Sequence, residues 1–341
     1  MSGKGGEIKF SYFCNVNSIT IIMKITNTSV AYLDGIGFSN LVQNNEIEAN
    51  LFLKSIYDII ETSIKDTICC PSKQYPNSLR DIASRNYVDE INYLQPFSDS
   101  IFFQSPNTDL LVRQVAQFMC NCFERSYKQT ILNETPKDKE ERMNRRPIIF
   151  KCGIAYGDIE IIEAPVIYGE KIYRNYSNTL LGIPVVKAVR LEENKKIVGP
   201  RLVFKNDIFN KLELNTQKFC RKLPVDGETD LYEFLWPVYL FLEQTLSPEL
   251  NYQEYDKMKP ALKKTLLFWQ KHYKLNENKI ADKYFSLIEL IIDSTILFFK
   301  IHNGAETGCK NAINTFINNL YKANTNYTTE EIEELKKLYR Y

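Results

Sequence analysis

Two carboxylates sit at sharp turns where an aspartate could do more than turn the chain. Asp34 ends a short β-branched and aromatic run, Val30 to Leu33, and is followed by Gly35 and Gly37, which allow a tight turn against something bulky. Ser39 is placed to cap a helix that opens with Asn40, Leu41 and Val42. Such a turn offers free backbone N–H groups and a helix N-terminus to an anion, while Asp34 offers oxygens to a hard cation. A metal-bound phosphate is the chemistry that combination serves; a plain Asp-Gly hairpin turn is the alternative. Asp99, in Ser98-Asp99-Ser100, is by composition a turn residue as well. It gains meaning only if it shares an ion with Asp34.

Whether the two meet depends on the elements that carry them. Ser18 to Ile25 and Thr28 to Asp34 read as strand, and Ser39 to about Ile68 as one long helix with an apolar stripe including Leu51, Ile56, Ile60 and Ile64. After a polar loop at Pro71 to Asn86, Tyr87 to Phe97 and Ile101 to Gln104 form a hairpin with Asp99 at its tip. A helix from Asp109 to about Tyr127, a charged segment from Asn133 to Arg146 and a strand from Ile148 to Tyr156 follow. Next come a hairpin at Gly157-Asp158, an aromatic loop from Tyr168 to Ser177, a helix within Asn178 to Glu193 and a strand from Arg201 to Phe204. The order predicts an α+β, ferredoxin-like layout, with helices packed on one face of a mostly antiparallel sheet. In it the end of the first strand and the tip of the second hairpin can be neighbours. From Leu231 the chain reads as helices: Leu231 to Thr245, Tyr252 to Tyr273, Lys279 to His302, Cys309 to Lys322 and Thr329 to Tyr341. The expected organisation is an N-terminal extension over 1–27, a catalytic domain over 28–215 and a helical C-terminal region over 230–341.

Composition narrows the functional classes. A net charge of +1 over 341 residues gives no global attraction to nucleic acid or to a membrane, so any anion site must be local. Eight cysteines without paired CxxC units, and only two histidines, argue against zinc. With no cleavable signal sequence and no stretch suited to span a bilayer, the expectation is a cytoplasmic protein with reduced cysteines.

Three separated stretches resemble one family in the same order. Asp34-Gly35-Ile36-Gly37-Phe38-Ser39 resembles the first metal-binding segment of class III nucleotidyl cyclases, and Phe97-Ser98-Asp99-Ser100-Ile101 their second. Gly182-Ile183-Pro184-Val185-Val186-Lys187-Ala188-Val189-Arg190-Leu191-Glu192 is similar to the helix bearing their catalytic arginine. The wording around Ala31-Tyr32-Leu33-Asp34 and Lys151-Cys152-Gly153-Ile154-Ala155-Tyr156-Gly157 is most similar to the bacterial pyrimidine cyclases of Pycsar anti-phage systems.

The resemblance implies a lyase that converts UTP or CTP to cyclic UMP or cyclic CMP plus pyrophosphate, as an alarm signal for a downstream effector. It implies two Mg²⁺ or Mn²⁺ ions held by Asp34, Asp99 and the Gly35 carbonyl, with the amides of Ile36, Gly37, Phe38 and Ser39 around the triphosphate. It also implies a head-to-tail homodimer in which Arg190 of one subunit completes the site of the other. Without the resemblance, Arg190 would be a surface arginine pairing with Glu192 or Glu193. Arg201 is a further candidate for a triphosphate contact. The chain departs from the purine cyclases at the base-reading places, where Gln95 and Thr179 stand for a lysine and an aspartate, and Val186 replaces a ribose-orienting asparagine. Those departures argue against ATP and GTP. A non-catalytic cyclase-like module that binds nucleotide or a partner is the competing reading, and a purine cyclase a lesser one.

Overall fold

The computed structural model describes residues 8–15, 18–66, 91–127, 135–168, 171–242, 255–303, 306–323 and 328–336. The loop expected at Pro71 to Asn86 and the chain beyond 336 lie outside them. Nine strands form one sheet: β1 (Ile8–Asn15), β2 (Ser18–Gly35), β3 (Tyr93–Phe97), β4 (Ser100–Ser105), β5 (Phe150–Tyr168), β6 (Lys171–Leu181), β7 (Leu202–Lys205), β8 (Cys220–Lys222) and β9 (Leu231–Phe234). The order across it is β3-β4-β2-β5-β7-β9-β8, with β1 on the first half of β2 and β6 on the second half of β5. All pairs are antiparallel except β5 with β7. The expected α+β architecture, with a helical C-terminal region, is present.

Alternation assigns the two faces. Ala31, Leu33, Ile101, Phe103, Phe150, Cys152 and Ile154 point to one side, where they meet α1 (Phe38–Asn44), α2 (Glu46–Asp66) and α3 (Thr108–Arg125). The opposite face carries Val30, Tyr32 and Asp34, and one helix crosses it, α5 (Ile183–Glu192), following α4 (Pro136–Asn144) in the chain. Close approach of α5 depends on Gly153: a Cβ there would lie 2.2 Å from the carbonyl oxygen of Ala188.

Short helices α6 (Asn206–Phe209) and α7 (Leu214–Gln217) lead to β8 and β9. A 3₁₀ turn (Trp236–Val238) and α8 (Tyr239–Leu242) then open the helical region of α9 (Tyr255–Lys274), α10 (Asn278–Asn303), α11 (Glu306–Ala323) and α12 (Thr329–Lys336). One apolar core runs without a break from Ala31 of β2 to Leu335 of α12. Thr328 caps α12 by accepting from the Glu331 amide at 3.2 Å, as the Thr-x-x-Glu spacing allows. No helix among the described residues is long and apolar enough to cross a membrane.

Several elements differ from the sequence expectation, each for a local reason. The long helix is two, because the Asn45 side chain accepts the Glu48 amide at 3.1 Å and starts α2 afresh. Asn45 with Glu48 three residues later is a start signal inside the apolar stripe. Ser39 does not cap: α1 begins at Phe38, with Gly37 as N-cap and no side-chain cap bond. The charged segment contains helix α4, started by a reciprocal Thr135–Asp138 capping box with Pro136 in the first turn. There is no hairpin at Gly157-Asp158; β5 runs through it, and the described part of the Tyr168 to Ser177 loop belongs to β5 and β6. The helix expected within Asn178 to Glu193, by contrast, is present, from Ile183 to Glu192. Leu231 to Phe234 is strand, not helix, and the sheet extends through it.

Candidate active site

Strand pairing brings the two aspartates to one end of the sheet. In the antiparallel ladders Asp34 stands opposite Ser100 on one side and Lys151 on the other. Asp99 occupies the two-residue turn between β3 and β4, where Ser98 takes a left-handed backbone with φ 58°. The Gly35 amide donates to the Asp99 carbonyl at 3.1 Å. A Cβ on Gly35 would lie 3.1 Å from the Asp99 Cβ, so the missing side chain is what lets the turn fold over the strand end.

The Asp34 carboxylate is held by a chain of hydroxyls. Ser100 Oγ donates to Asp34 Oδ1 at 2.6 Å, and Tyr32 Oη donates to Ser100 Oγ at 3.1 Å. Tyr32 and Asp34 share a face because they are two apart in a strand, and Phe102 braces the Tyr32 ring at 4.7 Å between centroids. Neither Ser100 nor the Tyr32 hydroxyl stands out in sequence as an orienting group; both become visible through the β2–β4 register.

Burial is the leading electrostatic influence on the acidic groups here. Burial pushes Asp34 above the ordinary carboxylate range against the Ser100 hydrogen bond. Burial, and then the charge of Asp34, push Asp99 up to about 6. Glu192, at the C-terminal end of α5, is pushed up to about 7 by burial and then by Asp34, against the pull of Lys151. Lys151 is itself lowered, first by burial; its ammonium donates to the Asn194 carbonyl at 2.9 Å. Glu192 thus feels the charge of Asp34, and among the described residues it makes no ion pair with Arg190.

Oxygen-only donors with mutual repulsion suit a hard divalent cation. Asp34 and Asp99 are the pair that could hold one; among the described residues no group of three or more His, Cys, Asp or Glu side chains is arranged around a common point.

The other candidates are distributed as follows. The Ile36 amide donates to the Ile149 carbonyl at 2.9 Å, which commits it within the fold. The Gly37 carbonyl accepts Arg146 Nη1 at 3.1 Å, Phe38 is buried against Phe52, and Ser39 is exposed. Gln95 lies on the cross-strand row Gln95–Phe102–Tyr32–Gly153, one step along the sheet from the Asp34 row and on the same face. Thr179, opposite Ile162 in β6, projects from the other face and is not brought to the aspartates. Arg190 is exposed, and among the described residues its side chain has no ion pair. It shares an exposed stripe of α5 with Ile183 and Val186, which are 69% and 49% exposed.

Arg201 is a correction. Its guanidinium grips Glu233 at 2.7 Å and lies 3.7 Å from Glu289, while Arg221 takes the other Glu233 oxygen at 2.6 Å. Glu233 has no exposed surface, so Arg201 serves as counter-charge to a buried carboxylate and is not spare for a triphosphate.

No protein-family model and no curated protein sequence matches the chain. Solved structures do show similarity. A bacterial light-regulated adenylyl cyclase is 14% identical, with a TM-score of 0.40 over 64% of this chain and 54% of its own, so the chain spans about half of it. A guanylyl cyclase, Cya2, is 12% identical with a TM-score of 0.37, over 68% of this chain and 94% of its own. An adenylate cyclase from Trypanosoma brucei is 12% identical with a TM-score of 0.37, over 62% and 90%.

Proposed function

We propose that the protein is a nucleotidyl cyclase acting on a pyrimidine nucleoside triphosphate, UTP or CTP, with two subunits sharing each site. The observation that carries this reading is that Asp34 at the end of β2 and Asp99 in the β3–β4 turn are neighbours, tied by the Gly35–Asp99 backbone bond. In the reaction the ribose 3′-oxygen attacks the α-phosphorus, the bond from that phosphorus to the bridging oxygen breaks, and pyrophosphate leaves with the electron pair. The hydroxyl proton passes to solvent. Asp34 and Asp99 would hold divalent ions, Mg²⁺ or Mn²⁺, which would make that hydroxyl more acidic and neutralise phosphate charge.

The chain's own residues do the positioning. Ser100 and Tyr32 fix the Asp34 carboxylate in one orientation, so no reorganisation is needed as charge develops. Arg190, exposed and without an ion pair among the described residues, is supplied to a second copy, where its planar fork stabilises charge on the α-phosphate. The apolar stripe of Ile183 and Val186 beside it supports burial against that copy. Gln95, on the same face of the sheet as Asp34, stands at a purine-reading place, and its chemistry favours a smaller base. The product, cyclic UMP or cyclic CMP, goes with a signalling role in anti-phage defence, in the cytoplasm, through a downstream effector.

The test is incubation of purified protein with each of the four NTPs and Mn²⁺, with products identified by mass spectrometry. Cyclic UMP or cyclic CMP is expected. No cyclic product sinks the enzyme reading in favour of a non-catalytic module, and cyclic AMP or GMP alone sinks the pyrimidine assignment. Asp34→Ala and Arg190→Ala proteins should each be inactive, and their mixture should regain part of the activity. Absence of recovery despite demonstrated subunit exchange refutes the shared site.

A further inference from the structure

Behind the Asp34 turn, on the helix-bearing side of the sheet, lies a cavity of about 390 Å³ bounded by α2, the end of α3, α4 and Ile148. Arg125, Arg142, Arg145, Arg146 and Lys54 line it, five positive side chains against three carboxylates, a net charge of +2. The whole chain carries only +1, so positive charge is gathered at this cavity. Arg142, Arg145 and Arg146 follow one another from the last turn of α4 into the lead to β5, while Arg125 ends α3 and Lys54 sits on α2.

Main-chain carbonyls hold two of the guanidiniums. Arg142 Nη1 donates to the Arg125 carbonyl at 2.6 Å, and Arg146 Nη1 to the Gly37 carbonyl at 3.1 Å. A carbonyl orients a guanidinium without neutralising it. The other two lie beside half-exposed carboxylates, Arg125 at 3.4 Å from Asp58 and Arg145 at 3.1 Å from Glu141. Exposed pairs of that kind are weak, and a doubly charged phosphate competes well for planar forks. Leu51, Phe52 and Ile148 give the same cavity an apolar part. Arginines converging beside apolar side chains in a cavity of this size suit a small molecule that bears a phosphate.

The cavity wall is also the back of the Asp34 turn. Gly37, with φ 83°, carries the carbonyl that Arg146 grips, and a Cβ there would lie 2.9 Å from Arg146 Nη1. A Cβ on Gly35 would lie 3.2 Å from the tip of the Phe52 ring. The Ile36 amide donates at 2.9 Å to the carbonyl of Ile149, next in the chain to Ile148. We propose that the cavity is a second ligand site, for a phosphate ester, with the phosphate on the arginines and the organic part on Leu51 and Phe52, and that its occupancy tightens the Asp34 turn through Arg146. The inference goes beyond the reaction of the proposed function, and its test needs neither turnover nor metal.

Titration calorimetry in EDTA, at constant ionic strength, measures binding of phenyl phosphate and of inorganic phosphate to the full chain. Phenyl phosphate should occupy one site per chain and bind more tightly than inorganic phosphate. Arg125→Met and Arg145→Met should each weaken it about tenfold, the value of one charge-assisted hydrogen bond. Lys139→Met, an exposed change on α4 outside the cavity lining, should bind as wild type. In the unmutated protein, phenyl phosphate should slow hydrogen exchange of the amides between Gly35 and Leu41 as well as those of α2 and residues 142–148, a readout independent of how any variant folds. No saturable binding up to about 10 mM, wild-type affinity in both folded arginine variants, or inorganic phosphate binding as tightly as the ester overturns the site. Protection that spares residues 35–41 overturns its link to the Asp34 turn. Inactivity toward all four NTPs leaves this result standing, and failure of phenyl phosphate to bind leaves cyclisation intact.

Discussion

Asp99→Asn separates a residue kept for chemistry from one kept for stability. In the folded protein Asp99 titrates at about 6, raised by burial and then by Asp34 from an ordinary value of 3.8. A raised carboxyl pKa means that ionisation is harder in the folded state. The stability associated with Asp99 is therefore complete below pH about 4 and is lost as pH rises through about 6. The unscreened shift is worth about 3 kcal/mol at pH 8, and because Asp99 is partly exposed solvent screening reduces this to about 1 kcal/mol. Asparagine keeps the shape and removes the charge. In EDTA at pH 8, urea unfolding should show Asp99→Asn more stable than wild type by about 1 kcal/mol, the gap narrowing to about half at pH 5. Glu192, raised to about 7, shifts stability in the same direction in both proteins and cancels in the difference. Adding Mn²⁺ should stabilise the wild type and have little effect on the variant. A variant less stable than wild type at pH 8 without metal, with a gap that does not change with pH, would refute the claim that two carboxylates repel one another here.

Three other outcomes follow from the packing. Arg201→Ala leaves the buried Glu233 with Arg221 alone and should cost about 3 kcal/mol in urea unfolding, while the Mn²⁺ affinity of the folded fraction is unchanged. Gly153→Ala places a methyl 2.2 Å from the Ala188 carbonyl, so α5 must shift; the melting temperature should fall by an amount equivalent to about 2 kcal/mol or more, and an unshifted melt would contradict the close approach. Ile183→Asp, on the exposed stripe of α5, should convert a dimer to a monomer in sedimentation without lowering monomer stability, since the side chain is 69% exposed.

The Asp34 turn was legible because its signals are local: an apolar alternation, a carboxylate at its end and glycines directly after. Asp99 was legible as a hairpin tip, and the two aspartates become a pair once both strands are placed in one sheet. What failed were readings in which one residue type supports two structures. Gly157-Asp158 reads as a turn, yet the strand continues through it, and Asp158 accepts the Asn27 amide at 2.9 Å across the β2 irregularity. Leu231 to Phe234 is only four residues long, and so short a run cannot tell a buried strand from a buried helix; pairing with β7 and β8 decides it.

The way β7, β9 and α10 close the site bears on how the protein is made. Translation delivers Asp34, Asp99, Lys151 and Glu192 before residue 200, but β7 then has an open edge until Leu231–Phe234 has emerged, and Trp236 fastens that junction by donating to the Pro200 carbonyl at 2.7 Å. The loop carrying Asn194 and Gly199 packs through Ile197 on Leu223 and Leu231, and Ser286 of α10 is added to it later. A nascent chain thus holds these carboxylates beside an open sheet edge until Phe234 has been added. A ribosome-bound fragment ending near residue 215 should accordingly stay protease-sensitive and silent, so that competence comes only with the last helices.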